Sequence, residues 1–357
     1  SFADLTLTFS SGISTGAAPD GNTISISGNI TGANNSLSLT GTTITLGGVC
    51  AALGNVTITN SAVFTLANAS GITLIADASF TQNGTGPNQL NGSINTSGTG
   101  SVSFASDLYL ARALNIGGGS GVLACAADLF INLTPVTDTV TFTSNVQARN
   151  IALFNGIVNL AGYCTSVYAV QDLILLNGNT ASMYNDTLTG IAGVYSYHHP
   201  GRTEAAPHNA GNTAPSSLTF PTAMPDTTAI AHNAVYASSF TAGAFNNKTL
   251  RSDKNFYANG ISFVPTAGSL TLQLIDNNSA LASFAEAYNS TFANTASNFS
   301  VAASENCTDG GGNTNIAFSR PSLMVNKTDK ASFASESGTY TVYDDVIRLE
   351  FADSKTG

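Results

Sequence analysis

The chain has no tryptophan, only four cysteines and very little charge. Acidic and basic residues together make up 9% of its 357 positions, against about 25% in a typical soluble domain. No Lys or Arg precedes Arg112, no Lys precedes Lys248, and no Glu precedes Glu204. With a net charge of -10, the basic footprint that nucleic-acid binding requires is missing. Anionic lipid finds nothing to attract either. No run approaches the ~18 apolar residues of a membrane-crossing helix. The longest, residues 122–133, is broken by Asp128. Disorder does not follow from the low charge, because hydrophobic residues reach 43%, too many for a chain that cannot form a core. Helical periodicity is nowhere sustained. Nucleophile-elbow, phosphate-loop and zincin motifs are all missing. The lack of Trp argues against a carbohydrate-processing groove, and the nineteen Phe read as core filling.

Thr, Ser, Asn, Gly and Ala take the place of charge, and they are arranged in a beat. TISI begins at Thr23, TITL at Thr43 and VFTL at Val63; SLSL begins at Ser36 and VTIT at Val56. Each step is twenty residues. Further on, DLYL at Asp107 returns as DLFI at Asp128, NIAL at Asn150 and DLIL at Asp172, at spacings of 21, 22 and 22. A period of this size marks a repeat architecture in which each repeat is one turn of a solenoid. The repeated units are short and alternate strictly, and Gly, Asn and Ser separate them. They therefore read as strands with one face in and one face out.

The pattern predicts an all-β chain: a right-handed parallel β-helix followed by a smaller β-rich capping or sandwich domain. Residues 1–19 are expected to form an N-terminal strand or cap, and residues 20–190 the solenoid. Residues 191–235, rich in Pro and His, read as a loop or linker, and residues 236–357 as the C-terminal domain. Residues 82–100 interrupt the beat and read as a loop excursion. The leading Asp or Asn of each DLxL unit is expected to shape its turn by bonding nearby backbone N–H groups.

The phrases GGGSGVLACAADLFI and NVQARNIALFNGIVNLAGYC resemble coils of secreted β-helical surface proteins of Gram-negative bacteria. These include autotransporter passengers, filamentous-haemagglutinin-like adhesins and spirochaete surface proteins. The resemblance covers roughly residues 20–185 and rests on coils, not on a catalytic motif. It implies a fold and an extracellular or cell-surface location.

Candidate chemistry is sparse. Asp107, Asp128 and Asp172 could line one edge of the solenoid, but they occupy repeated turn positions and do not converge as a glycosidase pair must. Beside them the coils carry just Arg112 and Arg149. His198, His199 and His208, with Glu204, are the weak metal-ligand candidates; as adjacent residues of a Pro-rich loop they read first as exposed. Asp344 and Asp345 are adjacent on a strand and face opposite ways. The glycine run between Asp309 and Asn313 reads as a turn. The chain is therefore expected to have no catalytic residue and no cofactor. Cys50, Cys125, Cys164 and Cys307 do not form a C-x-x-C pattern. An exported chain admits disulfides, with Cys125 and Cys164 as the expected partners; the alternative makes each a small buried apolar residue.

The leading expectation is an extracellular, non-enzymatic structural protein that polymerises head-to-tail with copies of itself. Leu5, Leu7 and Phe9 would lie on one face of a terminal strand, and Ile347, Leu349 and Phe351 on one face of another. The alternatives are an adhesin that binds host or matrix glycans or proteins through loops 82–100 and 196–228, and a polysaccharide-degrading β-helix. Neither nucleic acid nor membrane insertion is expected.

Overall fold

The computed structural model describes residues 2–15, 22–179, 194–195, 218–219, 235–253, 255–274, 284–288, 291–292, 299–302, 307–309, 332–335, 338–343 and 346–348. Among these there is no helix, and none long and apolar enough to cross a membrane. The strands stack as a parallel β-solenoid with three faces. The first face begins with Leu5–Thr6, Ile30–Thr31, Cys50–Leu53 and Ile72–Leu74. Ser11–Ser14, Leu37–Gly41, Val56–Asn60 and Phe80–Gln82 open the second. The third begins with Thr23–Ile26, Thr43–Leu46, Phe64–Leu66 and Asn88–Leu90. Higher up, the corners straighten. Val122–Asn132 and Asn145–Leu160 run unbroken from one face to the next.

The register follows the hydrophobic pattern. Leu108, Leu129, Ile151 and Leu173 stand one above another on the third face, all at 3% exposure or less. Lower down the same face, Ile24 pairs with Ile44 and Ile44 with Phe64. On the second face this step is nineteen rather than twenty, because Leu37 aligns with Val56. A twenty-residue step would have placed Ser36 there and turned the strand over, since a one-residue slip exchanges the two faces. Burial of Leu37, Leu39, Val56 and Ile58 decides the register. Each buried aliphatic or Phe side chain contributes about 1.5–3 kcal/mol. Phe64, Phe80 and Phe104 add a tilted ring stack inside the core, with centroids 5.9 and 5.4 Å apart, a favourable aromatic geometry.

Strands in a solenoid lie about 4.8 Å apart, so the turns leave little room. Gly71 has φ +67°, and a Cβ there would fall 1.8 Å from the carbonyl oxygen of Ser93 on the next coil. Only glycine fits that position.

Three expectations about organisation are corrected. First, residues 82–100 are not an excursion. Asn88–Leu90 and Ile94–Asn95 pair in parallel with coils on both sides, and the irregular composition reflects buried polar residues. Gln82 donates from Nε2 to Asn60 Oδ1 at 2.7 Å and to the Gly84 carbonyl at 2.9 Å, so the coil carries a hydrogen-bonded polar plug.

Second, the solenoid does not end near residue 190. Ser166–Ala169 pairs in parallel with Lys248–Ser252, and Asp172–Asn179 with Asn255–Asn259. The stacks then continue to Phe299–Ala302 and Cys307–Asp309. Residues 180–234 are thus an insertion between neighbouring coils. The second region was read as separate because the rhythm of the sequence stops near Tyr184 and lysine and glutamate appear beyond it. A small antiparallel sheet of Ser332–Ser335, Gly338–Tyr343 and Val346–Arg348 stands apart from the parallel stacks in its pairing.

Third, the expected N-terminal strand is present, but it belongs to the first coil and is not a separate cap. Phe2 bridges to Ile26, Leu5 pairs with Ile30, and Ser11–Ser14 runs beside 37–40.

Candidate functional site

At each corner of the solenoid, a short polar side chain accepts a hydrogen bond from a backbone N–H one coil higher. On the corner leading to the second face, Ser10 Oγ takes the N–H of Ser36, and Ser36 Oγ that of Asn55. Asn55 Oδ1 then takes the N–H of Ser79, and Ser79 Oγ that of Ser101. On the corner leading to the first face, Asp4 Oδ1 takes the N–H of Asn29, and Asn29 Oδ1 that of Val49. These turn residues therefore bond between coils, whereas Asn68 does accept within its own turn, from the N–H of Ser70 at 2.7 Å. They supply partners for N–H groups that the ladder leaves over where the chain bends, groups that are costly to bury unpaired.

The corner leading to the third face is the ionic one. Asp107 Oδ1 accepts the N–H of Asp128 at 3.1 Å. Asp128, fully buried, accepts at Oδ1 from Arg149 Nε at 2.6 Å and from Asn150 Nδ2 at 2.8 Å. Arg149 also lies 4.0 Å from Asp107. Burial pushes the Asp107 carboxyl up to about 6, and the neighbouring charge of Asp128 adds to this; the Asp128 N–H and Arg149 act against it. The bond to Asp128 raises the guanidinium pKa of Arg149 further. Asp172 occupies the same column, one residue before Leu173. The three aspartates share one corner as the repeat implied. The Arg149 contact was missed, although 149 is one coil period after 128.

Above this corner, the third face departs from the rest of the molecule. Outward positions of the lower coils hold Ser25, Thr45 and Thr65, all half-buried. From Tyr109 upward the outward positions are Tyr109, Phe130, Ala152 and Ile174, aligned coil on coil. Tyr109 and Phe130 stack with centroids 4.8 Å apart and an interplanar angle of 19°. The sequence signal was the third letter of DLYL, DLFI, NIAL and DLIL: apolar where TISI and TITL have Ser or Thr.

The other candidates are placed as follows. Leu5 is half-buried and Leu7 buried, but Phe9 is 69% exposed. The strand Leu5–Thr6 is two residues long and then turns, so the three do not share a face. Ile347 lies in the antiparallel strand Val346–Arg348, opposite Val342; Leu349 and Phe351 lie outside the described residues. So do His198, His199, His208, Glu204, Asp344 and Asp345. Among the described residues, no three His, Cys, Asp or Glu side chains gather to hold a metal ion.

Cys125 and Cys164 do not pair. Both thiols are free and buried, as is Cys50. Cys125 stands level with Ala148, which stands level with Ala169, and Cys164 lies in the turn before that strand. Two coil steps separate them, about 10 Å of rise, beyond the reach of a disulfide. Burial pushes the thiols up to about 12 for Cys50 and Cys125 and about 11 for Cys164. In the core, a cavity of about 20 Å³ lies among Leu129, Ile131, Phe142, Val146, Val158 and Leu175. It is far below the 300–1,000 Å³ or so of a small-molecule site.

No protein-family model, curated protein or solved structure matches this chain.

Proposed function

We propose that the chain is an extracellular structural rod, of the kind built by secreted β-helical surface proteins of Gram-negative bacteria. The observation that carries this reading is the use made of the carboxylates. Asp107 and Asp128 are committed to a backbone N–H and to Arg149 at an outer corner of the coil, and do not face each other across a cleft. A glycosidase needs two carboxylates about 5–10 Å apart on either side of a bound sugar. The weakly charged Thr, Ser and Asn surface agrees with an exported protein. In this reading copies join head-to-tail. The end of a solenoid can take a strand from a second copy by β-augmentation, and a head-to-tail contact that does not close gives a filament.

An adhesin is the second reading, and one observation favours it. The stacks pass directly from Ser166–Ala169 to Lys248–Ser252, so residues 180–234 are a long insertion on a rigid scaffold, a usual place for binding residues.

Electron microscopy of the purified protein, with and without residues 1–12, tests the structural reading. Fibres from the full chain that are lost on truncation support it. Isolated rods at all concentrations overturn the filament. Polysaccharide cleavage that Asp107→Asn or Asp128→Asn abolishes would overturn the non-enzymatic reading altogether.

A further inference from the structure

The ionic corner holds more acceptor than its protein donors use. Asp107 and Asp128 lie level on neighbouring coils, each one residue before the paired Leu108 and Leu129. Asp128 is fully buried. Its Oδ1 takes both side-chain donors, Arg149 Nε at 2.6 Å and Asn150 Nδ2 at 2.8 Å. Its Oδ2 is buried too and meets no hydrogen-bond donor among the described residues. A buried polar atom without a partner is rare and calls for an occupant, the more so on a charged group. Asp107, one coil below, gives Oδ1 to the N–H of Asp128 at 3.1 Å and meets Arg149 only at 4.0 Å. Cys125 is the other titratable group facing this corner. Its thiol donates to the carbonyls of Ser106 and Asp128, so it leaves the carboxylates as they are.

We propose that this corner is a cation site, in which a small monovalent ion of the size of sodium lies between the carboxylates of Asp107 and Asp128 and is held by the bare Oδ2 of Asp128. Three arguments fix the class of ligand. The first is charge. Two carboxylates share one guanidinium, so the corner lacks a single positive charge. A monovalent ion makes it neutral, whereas a divalent ion would leave an excess charge in a desolvated place. The second is spacing. Level positions on neighbouring coils stand about 4.8 Å apart. An ion midway between two such oxygens has each at roughly 2.4 Å, the contact that calcium makes with oxygen, and sodium has nearly the radius of calcium. Calcium itself wants about 6–8 oxygens, more than two carboxylates supply. The third is access. The Asp107 side chain is 18% exposed and that of Arg149 44%, so the ion enters from solvent and keeps water on its outer side. Burial also pushes the Asp107 carboxyl up to about 6, so proton and metal ion compete for the corner. The ion ties the coil of Asp107 to the coil of Asp128, and the rod's stability then depends on which monovalent salt surrounds it.

The test is the melting of the full chain at pH 8 in sodium chloride and in tetramethylammonium chloride. Equal ionic strength makes general screening the same in both. The expected result is a melting temperature roughly 2 °C higher in sodium. The difference should vanish at pH 4.5, where Asp107 carries a proton. It should vanish as well in Asp107→Asn, which keeps an acceptor for the Asp128 N–H and drops the charge. Sodium NMR of the unaltered chain needs no variant: the line should be broad at pH 8 and narrow at pH 4.5. Equal melting temperatures in the two salts overturn the proposal, as does a sodium effect that persists in Asp107→Asn. A narrow sodium line at pH 8 refutes it. Stabilisation by calcium but not by sodium also refutes it, because the charge count would then be wrong.

Discussion

The carboxylate of Asp107 accepts the backbone N–H of Asp128, one coil above it, at 3.1 Å. It therefore holds the corner from which the third face starts. The same carboxyl is pushed up to about 6, mainly by burial, whereas an unfolded Asp titrates near 3.9. The folded state thus binds this proton more readily than the unfolded state between about pH 4 and 6. Across that window the group's contribution to stability falls as pH rises. Two pKa units correspond to roughly 2–3 kcal/mol. Asp107→Asn keeps an acceptor for the Asp128 N–H and removes the titration. The variant should melt higher than the parent at pH 8, and the gap should close as pH falls below about 4. Equal melting temperatures at pH 8 would show that the ionised carboxylate is well accommodated after all.

Arg149 and Asp128 are unequal partners. Asp128 is fully buried, while the Arg149 side chain is 44% exposed. Removing the carboxylate leaves a guanidinium that water can reach, and Asp128→Ala should cost about 2 kcal/mol, the value of its charged hydrogen bonds. Removing the guanidinium strands a buried carboxylate with Asn150 as its remaining side-chain donor. Arg149→Ala should therefore cost more, about 3–5 kcal/mol. Denaturant midpoints at constant slope give the comparison. A costlier Asp128→Ala would mean that the turn bond outweighs the ion pair.

Much of this molecule could be read from its sequence, and the failures are instructive. The column of Leu108, Leu129, Ile151 and Leu173 followed from spacing alone, because each strand must keep its apolar side inward and the period is nearly constant. The second-face step between Leu37 and Val56 was misjudged by one residue, since Ser and Thr flank both strands and their alternation fits either register. The coil of residues 82–100 was missed because its core positions include Gln82, which is satisfied by Asn60 of the coil below. Composition does not reveal such a pairing. The insertion hid the return of the solenoid, where the third-face unit resumes as NFYA at Asn255, far in sequence from its neighbour DLIL at Asp172. The apolar outer stripe was in plain view in DLYL and DLFI, but three apolar residues in succession read as core until inside and outside are known.

The thiols give a chemical test of the core. Cys50, Cys125 and Cys164 are buried, with pKa values pushed up to about 11–12, and thiolate is the reactive form. In the native protein at pH 8, peptide mapping after iodoacetamide should find all three unmodified. Brief unfolding should make all three react at similar rates. Rapid native labelling of Cys125 would show that the ionic corner opens. A Cys125–Cys164 bridge found without reduction would contradict the coil register itself.

The ring stack tests how far a disturbance travels along the rod. Phe80 lies between Phe64 and Phe104, at 5.9 and 5.4 Å from each, and all three are at 2% exposure or less. Phe80→Ala should cost about 3–5 kcal/mol through lost burial and the cavity left behind. In a solenoid each coil contacts chiefly its neighbours, so stability is a sum of local terms. Phe80 should therefore couple to Phe104 in a double-mutant cycle by about 0.5–1.5 kcal/mol, as an aromatic pair does. Phe64 and Phe104, which meet through Phe80, should be additive within about 0.5 kcal/mol. Denaturant titrations of the single and double variants supply both numbers, and hydrogen exchange supplies the location. Amides of 56–60 and 102–104 should lose protection in Phe80→Ala while those of 166–169 keep theirs. A loss of protection spread evenly over the rod would mean that the coils unfold as one unit and that the nearest-neighbour account is wrong.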